Sequence, residues 1–168
     1  MTTFLDSDQQ ALAQEIADLL TNRSETVAVA ESTTGGLVSA ALLWVAGASH
    51  YYKGGGVLYT IDSRVALAGM SRDLYTNYQG TTPEMLAALA EAMRVRLNAT
   101  WAIGEAGLAG PTSGRSGAPP GRTTIAVAGP LPRTTRIETG LADRGENMAA
   151  FTTHTLRFLR DTLIEAAP

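Results

Sequence analysis

The run Thr26-Val27-Ala28-Val29-Ala30 is the segment that most narrows what this chain can fold into. It is short, apolar and rich in β-branched residues, so it reads as a strand buried on both faces. It passes without a break into Glu31-Ser32-Thr33-Thr34-Gly35-Gly36 and then into a stretch, Gly35 to Val45, that reads as a helix. A buried strand feeding a helix is the repeating unit of α/β folds.

The rest of the chain extends that pattern. Ser7 to Gln10 has the Ser-x-x-Gln form of a capping box, and Leu12, Ile16, Leu19 and Leu20 follow at helical spacing, predicting a helix from about Asp8 to Thr21. Val57-Leu58-Tyr59-Thr60 reads as a second strand after a turn at Gly54-Gly55-Gly56, and Asp62 as the cap of a short helix to Ala68. Pro83 after Thr82 starts a helix with an apolar stripe at Leu86, Leu89, Met93 and Leu97. Trp101 to Ile103 reads as a third strand, Ala109 to Gly121 as a loop, and Thr123 to Ala128 and Thr134 to Thr139 as two more strands. Asp143 and Glu146 open a last helix to about Ile164. With no repeat or linker, residues 1–168 read as one domain: a three-layer α/β/α sandwich with a mixed, mostly parallel sheet of about five strands.

Several function classes recede on composition. About 45% of residues are apolar, yet no run approaches the roughly 18 needed to span a bilayer. The start Met1-Thr2-Thr3-Phe4-Leu5-Asp6 lacks the regions of a signal peptide, predicting a cytoplasmic protein without membrane contact. A net charge of −3 and scattered arginines speak against nucleic acid as a partner. There is no cysteine, and the two histidines, His50 and His154, lie far apart, so no thiolate or His-rich metal site is expected.

Three segments carry candidate chemistry. In Glu31-Ser32-Thr33-Thr34-Gly35-Gly36, hydroxyls and glycines stand where a helix would leave its first N–H groups unpaired. The segment reads as a helix cap, as a place where an anion or oxyanion meets the backbone, or as both. Gly47 to Gly56 joins Ser49, Tyr52, Lys53 and three glycines, either as a ligand turn or as a surface loop. Gly107-Leu108-Ala109-Gly110-Pro111-Thr112-Ser113-Gly114 offers backbone amides, either as a second ligand contact or as a plain connector.

In combination these motifs resemble the CinA C-terminal family from about Asp8 to Leu163: Ala-Glu-Ser-Thr-Thr-Gly-Gly, then Gly-Ala-Ser-x-Tyr-Tyr-Lys-Gly-Gly-Gly-Val-Leu-Tyr, then Gly-Leu-Ala-Gly-Pro-Thr-Ser-Gly, then Pro-Pro-Gly-Arg-Thr. Standalone members include nicotinamide-nucleotide amidases. The resemblance implies a hydrolase acting on the carboxamide of a small nucleotide-like substrate, in a homo-oligomer (dimer or higher), without metal or cofactor. The family motif Glu-Ser-Cys-Thr-Gly-Gly falls on Glu31 to Gly36, with Thr33 in the cysteine position, and the serine of a later Gly-Ser-Ser motif falls on Ser49. The motif Tyr-Ser-Asn-x-x-Lys falls on Tyr59 to Arg64, so Arg64 stands where the resemblance implies a catalytic lysine.

That replacement matters because lysine can lose its proton near neutral pH when desolvated, whereas arginine does not. Three readings follow. Lys53 could supply the base, with Tyr59 or Tyr52 relaying the proton. The reaction could differ, with Arg64 gripping an anionic substrate. Or the domain could be a catalytically inactive nucleotide-binding or interaction module. The catalytic candidates are therefore Ser32 or Ser49 as nucleophile, Tyr59, Lys53 and Arg64. The expected ligand contacts are Glu31, Thr33, Thr34, Gly35, Gly36, Tyr52, Gly107, Ala109, Gly110 and Arg64, with the N–H groups near Gly35 and Gly36 holding an oxyanion. Glu105 would repel a phosphate if it faced the pocket. A DNA-binding role, drawn from the family's association with competence and DNA damage, is the weakest reading.

Overall fold

The computed structural model describes residues 3–167. Five strands form one sheet in the order β2-β1-β3-β4-β5: β1 Val27–Glu31, β2 Tyr52–Val57, β3 Trp101–Leu108, β4 Arg122–Ala128 and β5 Arg133–Glu138. β1 runs parallel to both β2 and β3, while β3, β4 and β5 pair antiparallel. The helices are α1 Ser7–Asn22, α2 Leu37–Trp44, α3 Ile61–Ala68, α4 Pro83–Arg96 and α5 Arg144–Glu165. None of them is long and apolar enough to cross a membrane.

Strand alternation divides the sheet into two unlike faces. Val27, Val29, Trp101, Ile103, Ile125 and Val127 point to one side and pack with α1, α2 and α5. Ala28, Ala30, Ala102, Ala106, Ala126 and Ala128 point to the other, beneath α4. The small residues let α4 lie close: a Cβ added at Gly104 would come within 3.1 Å of Leu86 Cδ1. All five residues of β1 are buried, in keeping with its near-continuous apolar run from Val27 to Ala30.

Local structure departs from the sequence reading at several points. Asp6, one residue before Ser7, caps α1, and its box partner is Gln9. Thr60, not Asp62, caps α3, accepting from the Ser63 N–H at 3.1 Å, and Asp62 instead pairs with Arg72. α2 begins only at Leu37 because Gly35 and Gly36 take φ of +63° and +102°, which ends the turn rather than starting the helix. The glycines expected as a turn form part of β2, which ends at Val57 where a strand was expected to begin. Gly55 is required there by proximity: a Cβ on it would lie 2.5 Å from the Val29 carbonyl oxygen. β3 also runs longer than the sequence indicates, and takes Gly107 into the sheet.

Two outcomes test this packing. Gly55→Ala should lower stability by about 1–3 kcal/mol in urea unfolding, the usual range for overpacking against a fixed backbone. Tyr51, whose hydroxyl donates to the Leu42 carbonyl, is buried and its phenol is pushed up from 10.0 to about 12 by that burial. Its contribution is complete below pH 10 and is lost as pH rises through about 12. Wild type should lose about 3 kcal/mol more than Tyr51→Phe across that window, measured by unfolding at each pH.

Candidate functional site

Ser32 directly follows β1 at the carboxyl end of the parallel strands, where open α/β sheets take ligands. It opens onto a cavity of about 880 Å3, within the range of small-molecule pockets. The walls come from the start of α3 (Tyr59 to Arg64), the segment before α4 (Tyr78 to Thr82), the glycine-rich loop after β3, and the outer strands at Arg122, Arg136 and Glu138.

The Ser32 turn is held from behind by two carboxylates. Glu105, on β3 and fully buried, accepts from the Ser32 N–H at 3.3 Å and the Thr34 N–H at 3.0 Å. It also accepts from the hydroxyls of Thr33 at 2.5 Å, Thr123 at 2.6 Å and Thr34 at 3.1 Å. Glu31 accepts from the Thr34 hydroxyl at 2.6 Å and from the N–H groups of Val38 and Ser39 at 3.1 and 3.0 Å. The helix N-terminus that could have received an oxyanion is thus capped by the chain's own acid. The Gly35 N–H goes to the Ser32 carbonyl at 3.2 Å. Of the motif Glu31 to Gly36, only Ser32 lines the cavity; Glu31, Thr33, Thr34, Gly35 and Gly36 build its support. Glu105 likewise does not line the cavity; its carboxylate is turned onto the donors of the Ser32 turn and Thr123 behind the wall.

Arg64 projects from α3 with only 2% of its surface exposed, yet it lines the cavity. Its Nε donates to the Leu58 carbonyl at 3.1 Å and its Nη1 to Thr81 Oγ1 at 3.0 Å. The guanidinium carbon lies 5.7 and 5.9 Å from the ring centres of Tyr75 and Tyr78, and Arg115 lies over Tyr78 at 5.8 Å. Tyr59 is 55% exposed, and Arg144 Nη2 donates to its hydroxyl at 3.4 Å.

Other expected site residues lie elsewhere. Tyr52 pairs with Val27 at the amino end of β1, whereas Val57 pairs with Glu31 at the carboxyl end. Lys53 follows Tyr52 and Ser49 precedes it, so the strand rise places Lys53 roughly 13 Å along the sheet from the Ser32 end. Neither Ser49, Tyr52 nor Lys53 lines the cavity, and the expected Lys53 base is not assembled with Ser32. Gly107 lines it, but its N–H is donated to Thr33 Oγ1 at 2.7 Å. Ala109 and Gly110 are outside it, and their carbonyls accept from Asn147 Nδ2 and Arg144 Nη1, both at 2.8 Å.

Sequence reasoning missed Tyr78, Thr81, Arg115, Arg136, Thr123 and Arg144. Only the spacing of Tyr75 and Tyr78 was a local signal, and it lay in a segment without helix or strand pattern. The support network gives a direct test. Glu105→Ala leaves the Thr34 hydroxyl its bond to Glu31 but strips the acceptor from the buried hydroxyls of Thr33 and Thr123 and from two buried N–H groups. It should destabilise the chain by at least about 3 kcal/mol in denaturant unfolding, since each orphaned donor costs about 1–3 kcal/mol.

Comparison with known proteins agrees with this architecture. Residues 9–163 match the family described as the CinA C-terminal domain. A CinA-like protein of Prochlorococcus marinus (strain MIT 9313) is 45% identical over 124 residues, 74% of this chain and 29% of that protein. One from Acidobacterium capsulatum is 36% identical over 147 residues, 86% of this chain and 35% of that protein. The chain thus spans about a third of the length of these relatives. The crystal structure of the competence/damage inducible protein CihA from Agrobacterium tumefaciens superposes with a TM-score of 0.86 at 26% identity, covering 96% of this chain and 99% of the other. With the family matched across almost the entire fold, and its motif forming the turn that presents Ser32, this chain belongs to the CinA C-terminal domain family.

Proposed function

We propose that the Ser32 cavity takes a nucleotide-sized anionic small molecule. The observation that carries this reading is the charge of the walls. Five arginines line the cavity, Arg64, Arg72, Arg115, Arg122 and Arg136, against two carboxylates, Asp62 and Glu138. Arg72 pairs with Asp62 at 2.6 Å and Arg122 with Glu138 at 3.0 Å. The other three arginines form no ion pair among the described residues. Such an excess of one sign draws and holds ligands of the other.

Amidohydrolysis is the second reading, and the presence of Ser32 in the same cavity favours it. Its hydroxyl would add to a carboxamide carbon, ammonia would leave with a proton, and water would release the carboxylate and restore the serine. The family resemblance to nicotinamide-nucleotide amidases names the carboxamide to try. Against turnover stands the proton: Arg64 cannot accept it, and Lys53 lies at the other end of the sheet. Binding without rapid turnover is therefore the better-supported function.

Nicotinamide mononucleotide separates the two. Calorimetric titration should show saturable binding that Ser32→Ala preserves within about threefold, because Ser32 supplies no charge. The absence of binding by this and other nucleoside monophosphates would remove the reading. Ammonia and nicotinate mononucleotide released by wild type but not by Ser32→Ala would establish the amidase instead.

A further inference from the structure

We propose that Arg64, with Thr81 and the rings of Tyr75 and Tyr78, forms a dedicated subsite for a phosphate group. The proposal rests on the cavity reading only in placing that phosphate on the ligand; the subsite itself follows from the accounting of one buried side chain. A guanidinium carries five N–H donors. In Arg64 one goes to the Leu58 carbonyl and one to Thr81 Oγ1, and with the neighbouring Tyr75 hydroxyl counted as a third partner, two remain on Nη1 and Nη2 without a protein acceptor among the described residues. No carboxylate pairs with it there. A charge removed from water is costly to leave uncompensated, and a second ion is the usual compensation. Here the residue lines a cavity, with 2% of its surface exposed.

The surroundings suit an oxyanion. The Leu58 carbonyl and Thr81 fix the guanidinium plane, and the two tyrosine rings lie within cation–π range, so little side-chain freedom is lost when an anion arrives. The remaining Nη donors match the parallel two-oxygen contact that arginine makes with phosphate and carboxylate. Charge decides between these two. Arg115, which lies over the same Tyr78 ring, and Arg136 across the cavity are also without acidic partners, so a dianion is matched better than a monoanion.

Titration of the whole chain with inorganic phosphate, followed by calorimetry and by the Nε–H resonance of Arg64, tests this without any nucleotide. One saturable site is expected, with a shift of that resonance and at least tenfold weaker binding of acetate. Arg64→Lys, which keeps the charge but loses the fork, should weaken phosphate binding at least tenfold. Arg23→Lys, at an arginine outside the cavity that donates to the Leu163 carbonyl, should leave it within twofold. If the Arg64 variant does not fold, the wild-type resonance remains the deciding readout. Phosphate binding that leaves the Arg64 resonance unmoved, or acetate bound as tightly as phosphate, would overturn the subsite. Phosphate binding at Arg64 in a chain that rejects every nucleoside monophosphate would sustain the subsite while sinking the nucleotide reading.

Discussion

The Glu105 carboxylate is the contact on which the site depends. A strand cannot turn into a helix within five residues without leaving backbone donors exposed, and here the turn is buried. Glu105 gathers two of those donors and three hydroxyls onto one side chain, reaching from β3 to the Ser32 turn and to β4. Glu31 performs the same task for the first turn of α2. The two acids thus free Ser32 from structural work and leave its side chain facing the cavity.

The cavity owes its other walls to the way the chain returns to the carboxyl end of the sheet. Arg64 sits on α3 one turn after the Thr60 cap, and Thr81 stands just ahead of the Thr82 cap of α4. Two helix starts therefore meet, and the segment between them brings Tyr75 and Tyr78 together at 5.9 Å in an edge-on arrangement. Outside the cavity, Arg144 and Asn147 at the start of α5 hold the loop after β3 by the Gly110 and Ala109 carbonyls, and Asn147 also holds the Leu141 carbonyl after β5.

The layers, the strand count and the start of α5 at the Asp143 cap were legible in the sequence, because apolar period and capping residues act locally. The motif around Ser32 was legible as a junction. What it could not disclose is which N–H groups were already taken, since the acceptor Glu105 lies 73 residues from Ser32 in sequence. The glycine run at Gly54 to Gly56 misled for a related reason. Glycine marks a turn when the chain bends, and equally marks a strand where another backbone presses close, and only the neighbour at Val29 distinguishes them. Lys53 followed that error: once the glycines extend as β2, it is carried away from Ser32, and Ser49, assigned from the family motif, lies ahead of β2 and outside the cavity.

The unequal faces of the sheet have a consequence for which replacements the interior can absorb. On the side of α1, α2 and α5, side chains are large and of several shapes, and such interiors accept exchanges that conserve volume. Beneath α4 the sheet offers methyl groups and bare backbone, so almost any replacement is an enlargement that lifts the helix. Lifting α4 shifts Thr81 and, through it, the guanidinium of Arg64. Tolerance of added volume is therefore narrow on one face of the sheet and wider on the other.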